Sequence, residues 1–326
     1  MSINVFELFV VSTILYTIYS NNNGGIRTLL KIIMFGGYIL DFVVLVFYGW
    51  NSFFELLNQN VRMETDLLNA NILGITTSLS ILINLYFILI MKEIKIYDLL
   101  IIFGIIILAF SASRKAIVMA VIGTIVIIIF GFRMRMHKKT LFPYLFVVSA
   151  IIALIFVISN LSIFNLANDR IDSLFNFFSE NKGNVDGSTL ARMKLNEIGV
   201  DLFNSKPLFG YGIDNAKIYG NAYFHTTEYY LHNNFLEILA NLGLVGFVIY
   251  YLPYIIILYR LVRYWNSKSN YFIISFVLFV LTIIIDYGSV SYSSKQTIFL
   301  LLVMWFSTEK LKSEKLNFCY NSSLLY

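Results

Sequence analysis

Three side chains suited to binding an anion or moving a proton stand beside apolar runs: Arg114, Arg192 and His232. A guanidinium can grip an anionic group through two parallel hydrogen bonds. A neutral imidazole can accept a proton from an attacking hydroxyl. Arg114 interrupts two long apolar runs, where an ionisable group is costly and usually faces a polar cavity. These residue types suit a site that binds an anion and accepts a proton.

Each of these residues also has a simpler structural interpretation. Arg114 would tighten a turn between two membrane spans while its charge reaches towards water. Arg192 would bind anionic head groups without selectivity. His232 would form a hydrogen bond at the start of a helix. Spacing alone favours these simpler interpretations.

Other polar residues have weaker claims. Asp214, Glu228 and Glu237 are carboxylates of the type that act as acid and base on a glycosidic bond, although the sequence gives no separation between them. Arg170 and Lys194 are similar to Arg192 but less well placed.

No metal or cofactor is expected. The single cysteine, Cys319, allows no cysteine metal cluster. The Gly210-x-Gly212 pair follows no predicted strand and precedes no Walker-type lysine, so nucleotide binding is not expected. The basic residues are scattered over short loops, which argues against nucleic acid as a partner.

The elements that must position these residues are membrane-spanning helices. Of 326 residues, 58% are hydrophobic and 13% are charged, and the mean hydropathy is +0.75. Soluble domains carry about 25% charged residues, and about 18 consecutive apolar residues mark a span. We therefore expect an all-α integral membrane protein with about nine transmembrane helices. Their approximate ranges are 3–19, 29–50, 69–91, 96–112, 115–132, 141–160, 233–259, 271–290 and 296–308.

The basic residues predict the orientation of the chain. Fourteen of the 24 Lys and Arg residues lie in alternate short segments, and the positive-inside rule places these in the cytoplasm. The chain then divides into N-terminal helices (1–160), one large extracytoplasmic loop (161–232), C-terminal helices (233–308) and a cytoplasmic tail (309–326). Met1 falls on the outer side, which suits a chain that lacks helices at its start.

The large loop is expected to carry an amphipathic helix from Ser188 to Ser205 that lies on the membrane surface. Its apolar residues recur at helical spacing, and Asp186 and Ser188 are candidate N-caps. The segment 206–212, KPLFGYG, ends this helix with a turn. The apolar positions are Ala191, Leu195, Ile198 and Leu202.

Four short motifs, in this order, resemble the C-terminal half of the O-antigen ligase and polymerase superfamily (Wzy-like proteins). They are STLAR at 188–192, KPLFGYG at 206–212, LHNNFLE at 231–237 and GLVG at 243–246. The Ser113-Arg114 turn is similar to an earlier Ser-Arg motif of the family. Residues 69–74 are similar to its NPN entry to a span, with Ala70 in place of the proline. Family members generally have more helices and a cytoplasmic N-terminus.

The resemblance implies a membrane-embedded, GT-C-like glycosyltransferase of the bacterial cytoplasmic membrane. Its donor would be an oligosaccharide on undecaprenyl diphosphate, used on the outer face without metal or nucleotide. Cationic side chains would then stabilise the departing diphosphate. Arg192 and His232 would be catalytic, with His232 as the base or as the group that orients the acceptor hydroxyl. The residues implied to bind diphosphate or glycan are Arg114, Lys115, Arg170, Arg192 and Glu237.

The function that we expect is a polysaccharide polymerase for capsule, exopolysaccharide or O-antigen. It would transfer a growing chain onto a lipid-linked repeat unit by one inverting displacement. One alternative is a ligase with the same donor and another acceptor. A second is a transporter or flippase of the lipid-linked sugar, although the inverted repeats typical of transporters are not apparent. A chain-length regulator and a flippase of the same pathway are expected partners, beside the lipid bilayer.

Overall fold

The computed structural model describes residues 24–49, 69–111, 113–134, 187–226 and 229–323. Within these ranges every regular element is a helix, and none is a strand. They form two compact units, which comprise the described residues of 27–134 and of 187–323. The all-α class expected from composition is confirmed for this part of the chain.

The first unit is built around a buried helix. Its helices are α1 (Gly25–Tyr48), α2 (Ala70–Leu89), α3 (Leu100–Ser111, after a 3₁₀ turn at Ile96–Leu99) and α4 (Arg114–Met134). Helix α2 packs against α3 and α4, and nearly all its side chains are buried. At Gly74 a Cβ would lie 2.8 Å from the Cβ of Ala116, so only glycine permits this close approach to α4.

The second unit contains five helices. They are α5 (Gly187–Ser205), α6 (Ala216–Phe224), α7 (Asn234–Arg263), α8 (Asn270–Gly288) and α9 (Lys295–Ser323). Helix α7 contacts each of the other four. Asn233 caps α7, since its side-chain oxygen accepts hydrogen bonds from the N–H groups of Phe235 (3.1 Å) and Leu236 (3.3 Å). Helix α7 therefore organises this unit.

Five described helices are long and apolar enough to cross a membrane: 25–47, 70–89, 114–133, 234–263 and 270–288. They agree with five of the expected spans. The expected span 96–112 is observed as a shorter apolar helix. The spans at 3–19 and 141–160 lie outside the described residues. A multi-pass membrane protein is confirmed, while the count of nine stays a prediction.

The last expected span, 296–308, has different bounds in the structure. One continuous helix, α9, begins at Lys295 and ends at Ser323. It passes through most of the range assigned to a cytoplasmic tail. Its second half is rich in charged residues, and the sequence shows no proline or glycine there to end the helix. The loss of apolar residues at about residue 308 therefore does not mark the end of the helix.

Ion pairs place basic segments together at one end of each unit. Arg27 pairs with Glu93, so the start of α1 and the residues after α2 meet. In the second unit Arg260 pairs with Glu309 at 2.5 Å, and its guanidinium lies over the Trp305 ring. Arg27 and Arg260 both belong to the fourteen basic residues that the positive-inside rule assigns to the cytoplasm. The pairs agree with that grouping.

Two polar residues inside the first unit find polar partners, as burial requires. The Thr77 hydroxyl donates to Asp41 Oδ1 at 2.5 Å. The amide of Asn84 lies 3.5 Å from the Tyr38 hydroxyl. The second oxygen of Asp41 and the amide oxygen of Asn84 have no hydrogen-bond partner among the described residues.

Helix α7 is broken at Gly243, where φ is 64° and ψ is −167°. In an unbroken helix the N–H groups of Leu244 and Val245 would bond the carbonyls of residues 240 and 241. Here they donate instead to the carbonyls of Pro207 (2.8 Å) and Leu208 (3.2 Å).

The two carbonyls released by this break are also satisfied. They accept from the N–H groups of Tyr211 (2.9 Å) and Gly212 (2.7 Å). The turn at 206–212 therefore exchanges four backbone hydrogen bonds with α7. The two N–H groups and the two carbonyls displaced by the break are thus all paired, as burial demands.

Two glycines allow the turn and the helix to come this close. A Cβ at Gly243 would lie 2.4 Å from the carbonyl of Leu208, and one at Gly210 would lie 2.5 Å from the carbonyl of Asn241. Both glycines have φ of 64°, a left-handed conformation that side chains disfavour. The glycines of the KPLFGYG and GLVG motifs are thus explained by a backbone contact between the two motifs.

We predict that Gly243→Ala and Gly210→Ala each destabilise the protein. Left-handed strain alone costs about 1–3 kcal/mol, and the close backbone contact adds to it. Thermal unfolding in detergent micelles measures the effect as a lower Tm. Gly36→Ala is the control, because its Cβ would meet nothing within 4 Å. Wild-type Tm values for both Gly243→Ala and Gly210→Ala would contradict this interpretation.

Candidate functional site

Helix α5 presents its apolar stripe to the protein core. Leu195 and Leu202 are buried in one cluster with Ala216, Leu231 and Ala240, and Ile198 packs against it. The predicted helix is confirmed. The stripe expected to face the membrane contacts α6, α7 and the segment before α7, because these carry matching apolar residues. The large apolar side chains of α5 that remain exposed, and so could contact the bilayer, are Leu190, Met193 and Val200.

The start of α5 differs slightly from expectation. The helix begins at Gly187, so Ser188 lies inside its first turn and does not precede it. Asp186, the other candidate cap, lies outside the described residues.

Arg192 lies on the packed side of α5. It is half-buried and precedes Leu195 by three residues, which puts the two on one face of the helix. Leu195 shares its cluster with Leu231, the residue before His232. The structure therefore places Arg192 and His232 on two elements that are joined by one apolar core.

Lys194 lies on an exposed part of the same helix. It forms an ion pair with Glu197 at 2.8 Å, and its ammonium lies over the Tyr223 ring, 5.4 Å from the centroid. The hydrogen bond and charge of Glu197 raise the pKa of Lys194. Lys194 therefore stays protonated at neutral pH and is engaged in surface interactions.

His232 stands just before α7 in a left-handed backbone conformation, with φ of 54°. Its half-buried ring lies 4.6 Å from that of Tyr230 and 6.5 Å from that of Tyr229, between centroids. Leu231 on one side is fully buried, and Asn233 on the other caps the helix. The imidazole is thus carried on a short segment whose two ends are both fixed.

Glu237 helps to fix that segment. Its side chain accepts one hydrogen bond from the N–H of Leu231 (3.0 Å) and one from the amide of Asn241 (3.0 Å). The amide oxygen of Asn241 accepts in turn from the N–H of Ala216 (2.7 Å). Glu237 is 1% exposed. The structure therefore gives the carboxylate internal partners, where a residue that binds glycan was expected.

A second anchor holds the first residue of α7. Asn234 is buried, and its side-chain oxygen accepts from the N–H groups of Ser291 (2.9 Å) and Tyr292 (3.0 Å). Burial, followed by the charges of Glu237 and Asp214, raises the pKa of Tyr292 to about 12. Its phenol stays protonated and can donate a hydrogen bond.

The sequence analysis gave these residues no supporting role. Glu237 was expected to bind the substrate, and Asn234 was visible only as part of a motif. Tyr292 lies in a short polar break between two apolar runs. Such a break predicts a loop, but it does not reveal which distant residue the loop contacts.

Arg114 and Lys115 belong to the first unit, where they begin α4 and are half-buried. The preceding Ser113 is buried, and its hydroxyl donates to the side-chain oxygen of Asn71 at 3.0 Å. Asn69 caps α2 by accepting from the N–H of Asn71 at 2.8 Å. The two motifs at 69–74 and 113–114 are therefore in direct contact, and the first supports the turn that carries Arg114.

The remaining candidates are less informative. Arg170 and Glu228 lie outside the described residues. Asp214 forms an ion pair with Lys217. His225 ends α6 in a left-handed conformation and is exposed. In the parts of the chain that the structure covers, no group of three or more His, Cys, Asp or Glu side chains could hold a metal ion.

Residues 99–251 match the family model described as O-Antigen ligase. The match confirms the resemblance to the O-antigen ligase and polymerase superfamily. No curated protein matches the chain. The matched segment includes the six residues that the resemblance implies to be catalytic or to bind the substrate: Arg114, Lys115, Arg170, Arg192, His232 and Glu237.

We predict that Glu237→Gln destabilises the protein. A glutamine has one acceptor oxygen, so its NH₂ group would face a donor at either Leu231 or Asn241. A buried group left without its partner costs about 1–3 kcal/mol, which thermal unfolding measures as a lower Tm.

The matched control is Glu197→Gln. That side chain is 62% exposed and pairs with Lys194 on the surface, where ion pairs contribute little. Equal melting of the two variants would argue against a buried role for Glu237.

Proposed function

Because residues 99–251 match the family model described as O-Antigen ligase, we propose that this protein is a membrane glycosyltransferase that polymerises oligosaccharide repeat units. The units are carried on undecaprenyl diphosphate, and the product is a surface polysaccharide. One observation carries the proposal: the matched segment contains Arg114, Arg192 and His232 together. Those are the residue types that a metal-independent transfer from a diphosphate requires.

His232 acts as the base in this mechanism. Its imidazole takes the proton of the acceptor hydroxyl as that oxygen attacks the anomeric carbon of the donor. The bond from this carbon to the diphosphate oxygen breaks on the opposite side, so the configuration inverts. The rings of Tyr229 and Tyr230 and the fixed segment ends support this role, because a base must be held within hydrogen-bond reach of its proton.

The basic side chains act on the diphosphate. Arg192 stabilises the negative charge that develops on the leaving oxygen. Arg114 and Lys115, with Arg170, bind anionic or polar groups of the lipid-linked sugar. Arg114 and Lys115 stand in the first turn of α4, where the positive end of the helix dipole also favours an anion.

Glu237 has a positioning role in this proposal. It accepts from the backbone N–H of Leu231, which directly precedes His232, and from the side-chain amide of Asn241, which holds the carboxylate in place. The carboxylate thus acts on the substrate through His232.

The site operates at the outer face of the bacterial cytoplasmic membrane, where lipid-linked repeat units are assembled. A flippase supplies the donor there, and a chain-length regulator limits the product. The positive-inside rule supports this orientation, because the short basic segments that contain Arg27 and Arg260 are assigned to the cytoplasm.

A ligase is the second candidate, because the matching family model is described by that activity. It uses the same donor and the same displacement, but its acceptor is not a lipid-linked repeat unit. The two functions therefore differ only in the acceptor hydroxyl that reaches His232.

We predict that Arg192→Ala and His232→Asn each abolish most of the transfer activity. Removing a general base or a charge-stabilising group typically lowers kcat about 100-fold or more. Asparagine is chosen at 232 because it tolerates the left-handed backbone that His232 adopts. The assay uses proteoliposomes with synthetic lipid diphosphate oligosaccharide, and gel separation shows the chain length of the products.

The matched controls are Lys194→Ala on the same helix and His225→Asn, which also has positive φ. Both should retain wild-type rates. Normal chain growth by Arg192→Ala and His232→Asn would contradict the assigned roles. Lipid-linked products of two or more repeat units identify a polymerase, whereas transfer only to another added acceptor identifies a ligase.

A further inference from the structure

We propose that Asp286 positions the His232 segment through a closed ring of buried hydrogen bonds, an inference that rests on the proposed function. Asp286 lies near the end of α8, 54 positions along the chain from His232. It does not touch the substrate in this proposal. It acts through Tyr251, Ser291 and Asn234 on the backbone that carries the base.

The ring has four members. The amide of Asn234 donates to the Tyr251 hydroxyl at 3.0 Å, and this hydroxyl donates to Asp286 Oδ2 at 3.0 Å. The other oxygen of Asp286 accepts from the Ser291 hydroxyl. The N–H of Ser291 donates back to the side-chain oxygen of Asn234 at 2.9 Å, which closes the ring.

All four members are buried. The exposed fractions are 0% for Asn234 and Asp286, 2% for Ser291 and 5% for Tyr251. Each member forms two hydrogen bonds with other members of the ring. A buried polar network of this kind adds little net stability over an apolar replacement, but it fixes one arrangement of the groups that it joins. We therefore infer that the ring serves to fix the relative positions of the groups that it joins.

The arrangement that it fixes is the entry to α7. Asn234 follows His232 by two residues, and it also accepts from the N–H of Tyr292. His232 holds a left-handed conformation, which persists only where its surroundings impose it. Loss of Asp286 would leave the Tyr251 hydroxyl without its acceptor and free the Asn234 amide to turn. The segment that carries His232 would then have one anchor, at Glu237, where it now has two.

The ring also extends the site beyond the segment that matches the family. That match ends at residue 251, whereas Asp286 and Ser291 lie on and after α8. The C-terminal helices therefore do more than hold the protein in the bilayer. They supply half of the ring that orients the first residue of α7.

The test compares Asp286→Asn, Tyr251→Phe and the double variant in the transfer assay. We expect each single variant to lower kcat about tenfold while the donor KM changes by less than about twofold. The double variant should be no slower than the slower single one, because both changes open the same ring. Tyr251→Phe removes one oxygen and keeps the aromatic side chain stacked on Phe235. It therefore provides a folded variant if Asp286→Asn does not fold.

The matched control is Thr282→Val, one turn before Asp286 on the same helix. Thr282 is equally buried but bonds only the carbonyl of Leu278. This variant should keep the wild-type kcat. Normal kcat per folded molecule in both Asp286→Asn and Tyr251→Phe would overturn the proposal.

Hydrogen–deuterium exchange separates this inference from the proposed function. In Asp286→Asn, or in Tyr251→Phe if the former does not fold, amide exchange should rise in peptides that cover 229–237 and 289–294 and stay unchanged in Thr282→Val. If wild-type protein transferred no glycan while exchange behaved in this way, the proposed function would fail and the positioning ring would stand. Unchanged exchange in both peptides would overturn the ring itself.

Discussion

The second unit depends on the exchange of backbone hydrogen bonds between the turn at 206–212 and the break of α7 at Gly243. Hydrocarbon offers no partners for backbone groups, so a helix can be broken there only where other parts of the protein replace the lost bonds. Two facing glycines, Gly210 and Gly243, make that replacement possible. The contact fixes where α5 ends relative to α7, and it thereby fixes where Arg192 stands relative to the His232 segment.

Buried polar side chains also fix the backbone around the start of α7 by hydrogen bonds. Glu237 secures the backbone N–H of Leu231 just before it, and Asn241 links this carboxylate to the N–H of Ala216 on α6. Asn234 secures the first residue of α7 to the loop that follows α8. In the first unit, Asn71 supports the turn that carries Arg114 through Ser113. The turn that carries Arg114 and the segment that carries His232 are therefore held by neighbours that do no chemistry. Support of reactive groups by residues that do not react is typical of sites that need fixed geometry.

The sequence predicts the helical class and five of the spans well, because runs of apolar residues are a local signal. It also predicts α5 and the turn after it. It could not predict that Leu195 and Leu202 face protein. The pattern of apolar residues along a helix is the same whether that face contacts the membrane or the protein core. Nor could it pair Gly210 with Gly243, or Asp286 with Tyr251, because these contacts join positions far apart in the chain. Glu237 looked like a binding residue because its burial cannot be seen from spacing.

The central claim is that the unit carrying Arg192 and His232 opens to the outside of the cell, where a diphosphate leaving group meets cationic side chains. Labelling with a membrane-impermeant maleimide tests it most directly, in a Cys319→Ser background that removes the single native thiol. Ile218→Cys on exposed α6 should react in intact cells, and Lys268→Cys between α7 and α8 should react only after permeabilisation. The reverse pattern would place the site in the cytoplasm and contradict the account.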